Sequence, residues 1–386
     1  MKFLPYGRQT IGADDVRAVV SVLKSPWLTQ GPKIAEFEAE LCSRTGARCA
    51  VAVSNGTAAL HLACLAAGLR KGMEVVTSPV TFVASANAVV YAGATPVFAD
   101  IHPGTYTLDP GEVRRRLTAR TKALVTVDFA GQAAGAEELW RLARSRGLTV
   151  IEDAAHAIGS RYRGGAPVGS CRFAHMTTFS FHPVKTVTTG EGGAVTTNST
   201  ELAAKLRLLR THGITKEPRL LSRHPGPWYY EMQELGFNYR ITDLQAALGL
   251  SQLRKLDRFV RRRREIVSMY NDAFRGVPRL TIPLEAEGLR SAFHLYVLQV
   301  DFKALGTTRG AFMEGLKGRG IGSQVLYIPV HLQPYYRERF RGRPGQYPRA
   351  EAFYERTLSL PLYPALTDAD VRRVVRAVRC LVSREG

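Results

Sequence analysis

From Cys49 onward the sequence alternates short apolar runs with helix-patterned ones, and no other feature restricts the fold as much. CAVAV (Cys49 to Val53) leads through Ser54-Asn55-Gly56 into a helical pattern from Thr57 to Gly68, with the glycine placed to end the helix. EVVTS is followed by TFVASANAVVYAGA, TPVFADI by GEVRRRL, KALVTVDFA by AEELWRLARSRG, and then comes LTVIEDAAH. Each strand followed by a helix implies a largely parallel sheet covered on both faces. In such a sheet, ligands collect at the carboxyl ends of the strands.

Past this repeat the pattern changes. MTTFSF and GGAVTTN read as two further strands joined by a loop that holds His182-Pro183-Val184-Lys185. HPGPWYYEMQELGFNYR is too rich in Pro, Gly and aromatics for a regular element and reads as a functional loop. From Thr242 to about Tyr270 apolar residues recur at helical spacing, which predicts one long helix bridging two domains. HLYVLQV and SQVLYIP then read as strands, with TRGAFMEGLKGRG as a helix between them. The last helix, TDADVRRVVRAVRCLV, opens with Thr367 and Asp370 at capping-box spacing. The expected organisation is a large domain over 1–250 with its N-terminal segment 1–30, and a smaller α+β domain over 251–386.

Composition excludes several classes. With 386 residues, 45% hydrophobic and 22% charged, the chain can bury two cores and is not dominated by disorder. Apolar runs stay under about 10 residues, short of the ~20 needed to span a bilayer. The start MKFLPYGRQT lacks an apolar signal core, so a soluble, cytoplasmic protein with no membrane partner is expected. The five cysteines are odd in number and include no C-x-x-C, which suggests neither a disulfide framework nor a zinc site. A net charge of +20 could attract a polyanion, but no recognition-helix, zinc-finger or RNA-binding signature accompanies it. A phosphate-bearing small molecule fits the charge as well as nucleic acid does, and nucleic acid is not expected as partner.

Three places could carry chemistry. Ser54-Asn55-Gly56-Thr57 enters a helix, where free amides and the positive end of the macrodipole can hold a phosphate, although such a turn also serves as a plain cap. Asp153 ends an apolar strand at the ligand-bearing edge and could neutralise a protonated ring nitrogen or bind a metal; His156 lies one turn on. No third ligand is evident, so no metal is expected. Lys185 sits between a strand and the glycine-rich TTGEGGAV, a confined setting for the one side chain able to form a Schiff base with an aldehyde cofactor.

VAVSNGTAALHLA, SPVTFVASANAVVYAGATPVFADI, IEDAAHAIGSRY, FSFHPVKTVTTGEGGAVTTN and FNYRITDLQAALG, in this order and spacing, resemble the DegT/DnrJ/EryC1/StrS sugar aminotransferases. PYGRQTIGADDV, SPWLTQGP, YIPVHLQPYYR and LSLPLYP resemble the subgroup that aminates C4 of a UDP-linked 4-keto-6-deoxy-N-acetyl sugar for pseudaminic acid. The resemblance implies an α/β, fold-type I enzyme dependent on pyridoxal 5′-phosphate. It implies a large domain with a mixed, mostly parallel sheet, a smaller C-terminal α+β domain, and a homodimer with shared active sites.

Carried over to this sequence, the resemblance makes Lys185 the cofactor's tether and Asp153 the partner of its pyridine nitrogen. Phe82 would stack on the ring and His156 would lie beside it. Gly56, Thr57 and Ser180 would hold the phosphate, with Asn238 reaching in from the partner subunit. Tyr6, Trp27, Leu28, Thr29 and Tyr327 would line the sugar pocket, and L-glutamate would be the amino donor. One departure stands out: relatives usually read V-H-Y before I-P, whereas this chain has Val325-Leu326-Tyr327, so a polar substrate contact expected at 326 is missing.

Two other readings compete with transamination of this sugar or of another 3- or 4-keto sugar. A pyridoxamine-phosphate-dependent dehydratase would replace the lysine by histidine, which Lys185 argues against. A regulator that binds DNA would need a separate binding domain, and none flanks the repeat.

Overall fold

The computed structural model describes residues 3–383. Seven strands make the main sheet: β1 (Cys49–Val53), β2 (Glu74–Thr77), β3 (Thr95–Phe98), β4 (Thr121–Val127), β5 (Thr149–Asp153), β6 (Met176–Ser180) and β7 (Gly193–Thr197). They lie in the order β1-β7-β6-β5-β4-β2-β3, and only β7 runs antiparallel to its neighbours. This is the mixed, mostly parallel α/β sheet that the resemblance implies.

Side chains alternate across the sheet as strand pleating requires. Val51 and Val53 join one buried cluster with the helices Gly56–Ala66 and Thr200–Arg210, whereas Ala50 and Ala52 face Phe37, Leu41 and Phe179 on the other side. Helices on both faces leave the strands nearly free of solvent, which is why they read as continuous apolar runs. Gly68, expected to end the first of these helices, takes a left-handed φ of +72° just past its last turn.

A second core surrounds a three-stranded antiparallel sheet, Leu280–Thr281, Tyr296–Val300 and Thr357–Leu360, with Tyr296–Val300 in the middle. The helices Leu256–Phe274, Arg309–Gly318 and Asp368–Ser383 cover it. The last helix is capped as expected, with Thr367 Oγ1 accepting from the Asp370 amide at 3.1 Å and Asp370 Oδ2 accepting from the Thr367 amide at 3.1 Å.

Two expectations are corrected. The long helix from Thr242 is two, Asp243–Leu253 and Leu256–Phe274, separated by a tightened turn in which the Lys255 amide donates to the Gln252 carbonyl three residues back at 3.0 Å. Lys255 Nζ reaches Asp15 Oδ2 at 2.5 Å and Asp14 Oδ2 at 2.9 Å, and Gln252 Nε2 donates to the same Asp15 oxygen. SQVLYIP is not a strand: it pairs only at Gln324 with Ser359, and Leu326 and Tyr327 after it pack against the buried cluster that holds Phe98 and Phe129. The arm itself spans both cores, since Leu4 is buried in the second cluster and bridges to Ile321.

Candidate active site

Parallel strands β4, β5 and β6 end side by side, and the candidate residues gather at their carboxyl edge. Asp153 is the last residue of β5 and is buried. Ser85, in the first turn of Ala84–Tyr91, donates to its Oδ2 at 2.5 Å, and the Ala155 amide donates to Oδ1 at 3.2 Å. Burial raises the Asp153 pKa, while Ser85, Ala155 and Lys185 pull it back, so the carboxylate is fixed in place and short of one strong counter-charge.

Lys185 supplies part of that charge. Its loop leaves β6 at Ser180 and is tied at the base, where Phe181 exchanges hydrogen bonds with Gly192 and Thr189 at 2.8 and 3.0 Å. Desolvation lowers the amine to about 8, with Asp153 opposing the shift. A base lowered this far is half neutral near pH 8, whereas an ordinary lysine is neutral to well under 1% there. In cofactor-free protein Lys185 should therefore react with cyanate at pH 8 roughly two orders of magnitude faster than exposed lysines, as read by peptide mapping.

The helix entry lies nearby. Asn55 caps it by accepting the Ala58 amide at 2.8 Å, which leaves the Gly56 and Thr57 amides at the open, half-buried end. Gly56 is required for contact: a Cβ there would lie 2.8 Å from Ser180 Cβ and 3.1 Å from its Oγ. The amide end and the Ser180 hydroxyl thus form one cradle of anion-binding groups. Gly56→Ala should push Ser180 out of this cradle and weaken cofactor binding about 10-fold or more in a fluorescence titration, a loss of ~1.4 kcal/mol.

Aromatic groups cluster around Tyr327. The Phe82 ring is 56% exposed and 5.8 Å from that of Tyr327. His156 is buried, with Nε2 3.2 Å from Tyr327 Oη and its ring 4.4 Å from that of His294. Tyr6 is half-buried beside Tyr327, its carbonyl accepting from the Leu362 amide at 3.0 Å. Leu326 packs into the apolar cluster around Phe98 and Phe129.

Other expected residues are not brought in by this chain alone. Trp27, Leu28 and Thr29 are exposed beside the start of helix Asp243–Leu253, where Leu28 O accepts the Asp243 amide and Thr29 bridges to Thr242. Asn238 is exposed next to Tyr239, whose carbonyl accepts the Ser54 amide at 2.8 Å. Ser85 and His294 were missed in the sequence. Ser85 could have been found as a lone hydroxyl one turn after Phe82 in an apolar helix; His294 only opens an apolar strand and gave no signal.

The residues fit pyridoxal phosphate: an amide-and-hydroxyl cradle for phosphate, a buried carboxylate for a ring nitrogen, an exposed aromatic face, and an amine near neutrality for the aldehyde. A profile of the DegT/DnrJ/EryC1/StrS aminotransferase family matches residues 9–379. The chain belongs to this family. It is a sugar aminotransferase dependent on pyridoxal 5′-phosphate. The Bacillus subtilis spore coat polysaccharide biosynthesis protein SpsC is 45% identical over 381 residues, covering 98% of this chain and 97% of that one. Helicobacter pylori PseC, an aminotransferase involved in biosynthesis of pseudoaminic acid, superposes with a TM-score of 0.91 at 34% identity, covering 99% of this chain and 100% of its own. The sugar aminotransferase Spr1654 of Streptococcus pneumoniae, described as putative and solved in its PLP form, has a TM-score of 0.90 at 29% identity, covering 99% of this chain and 99% of that one.

Proposed function

We propose that this aminotransferase moves the amino group of L-glutamate to C4 of a UDP-linked 4-keto-6-deoxy-N-acetyl-hexose, as in a pseudaminic acid type pathway. The observation that carries the chemistry is the depressed Lys185 amine facing Asp153 at the strand edge. Its likeness to PseC and SpsC supports an acceptor from surface-polysaccharide sugar metabolism. Bound pyridoxal phosphate supplies an electron-withdrawing ring that acidifies the donor's Cα–H. Gly56, Thr57 and Ser180 would hold its phosphate, Phe82 would cover its face, His156 would stand beside it, and Asp153 would keep a proton on its nitrogen.

Lys185 Nζ then serves as the movable base. It takes the Cα proton from glutamate in the first half-reaction and delivers a proton to the sugar carbon in the second. Near neutrality the same nitrogen can accept and release that proton with little driving force lost either way. Tyr6 and Tyr327 form one side of the sugar pocket. We place Trp27, Leu28, Thr29 and Asn238 in the site of a second subunit of a homodimer, since each is exposed here. The large domain is 1–250 and the small one 251–386. Among the described residues no helix is long and apolar enough to cross a membrane.

Leu326 favours a contact with an apolar part of the sugar, such as a 6-methyl group, over a hydroxyl. The test offers glutamate with UDP-, dTDP- and GDP-linked 3-keto and 4-keto sugars and identifies each amine by NMR. A 4-amino UDP sugar as the preferred product is expected. Preference for a dTDP-linked or 3-keto sugar rejects the assignment.

A further inference from the structure

Around His156 the hydrogen bonds leave only one arrangement of protons. Ala130, in the turn after β4, has a left-handed φ of +57°. That conformation sends its N–H to His156 Nδ1 at 3.3 Å, while its carbonyl accepts the His294 amide at 3.0 Å. A backbone amide can only donate, so Nδ1 must present its lone pair. A neutral imidazole then carries its proton on Nε2, 3.2 Å from Tyr327 Oη. Full protonation would set an N–H of the ring against that of Ala130. Burial and the neighbouring Lys185 act in the same direction and lower the His156 pKa.

Tyr327 Oη is therefore the acceptor from His156, and its own proton must point elsewhere. No protein acceptor takes that proton among the described residues. The charged and polar groups near it are Asp153 and Tyr6, and neither is hydrogen-bonded to its hydroxyl; the two Asp153 oxygens bind Ser85 and Ala155. The Ala130 turn is itself braced from behind. Arg263 is 1% exposed and its Nη1 donates to His294 O at 3.1 Å and Leu362 O at 2.9 Å, which fixes the segment whose amide holds the Ala130 carbonyl.

We propose that His156 is a positioning residue locked as the Nε2–H tautomer, and that it thereby makes Tyr327 a hydrogen-bond donor aimed at an oxygen of the bound ligand. Arg263 and His294 brace the Ala130 peptide that sets this tautomer. The ligand oxygen is either the phenolic oxygen of the cofactor ring or an oxygen of the sugar. This rests on the active-site assignment above and adds a direction to it.

Nitrogen NMR of holoprotein labelled at histidine tests the tautomer independently of turnover. At pH about 7.5, His156 should be neutral with its proton on Nε2; an Nδ1–H signal, or a doubly protonated ring, overturns the proposal. Single-turnover rates of the two half-reactions test the donor. Tyr327→Phe should lose about 10- to 100-fold, in both halves if the oxygen belongs to the cofactor and in the sugar half alone if it belongs to the sugar. Unchanged rates in both would sink it. His156→Gln, which keeps an N–H, should retain more activity than His156→Phe. The double variant Tyr327→Phe, His156→Phe should be no slower than Tyr327→Phe alone; multiplied losses would mean that His156 does not act through Tyr327. If wild-type protein turns over no sugar at all, the NMR result and the glutamate half-reaction still judge this proposal, while the sugar assignment fails separately.

Discussion

Replacing Lys185 by alanine should lower transamination by about 10⁴-fold, the upper range for losing a positioned acid–base group. The side chain acts twice, as tether and as base, so both half-reactions fall together. Borohydride reduction followed by peptide mapping should find the pyridoxyl group on Lys185 of the native protein and on no residue of the variant. Folding should survive the change. The folded amine sits below its unfolded value, so the unfolded chain binds more protons between about pH 8 and 10. The desolvated amine thus costs stability in full below pH 8, and that cost fades as pH rises through the window, so its removal relieves the cost at pH 7. A melting temperature at pH 7 equal to or above that of the native protein is expected. Undiminished turnover, or a pyridoxyl label elsewhere in the native protein, would reject Lys185.

Asp153→Asn should cost about 10³-fold in kcat, comparable to removing one preorganised electrostatic group from an active site. An amide keeps the shape and the Ser85 hydrogen bond but not the charge that holds a proton on the ring nitrogen. Lys185 should respond as well. Asp153 is the group that opposes the desolvation of its amine, so its loss should drive the amine further down. Cyanate labelling of cofactor-free Asp153→Asn against pH should then show a midpoint below about 8. For Asp153 itself the sign is reversed: its folded pKa is raised, so ionising it costs stability as pH rises through that value. A midpoint unmoved or higher would separate Asp153 from Lys185.

The sheet was legible because each parallel strand is buried on both faces and carries an unbroken apolar run. Asp153 and Gly56 could be placed from sequence because strand ends and helix entries are local features. Lys185 stood out by its glycine-rich neighbourhood. Ser85 and His294 did not, because their roles come from contacts across 68 residues to Asp153 and, for His294, from packing on His156. The helix break at Lys255 was hidden for the same reason: apolar spacing runs on through Leu253, Leu256 and Phe259, and Asp15, which binds the Lys255 ammonium at the break, lies 240 residues earlier in the chain. SQVLYIP has strand composition, but its place in the fold gives it one partner at Gln324 and none after it.

The single reversed strand has a consequence for how the molecule assembles. A parallel neighbour must be reached through a crossover, but β6 and β7 are joined by a returning hairpin whose rim closes at Phe181. The lysine-bearing segment therefore rests on contacts close in sequence and can form early in folding. The carboxylate facing it waits for β5 to dock and for Ser85 to arrive from a helix far earlier in the chain. A complete cofactor site therefore needs both the local hairpin and these long-range contacts.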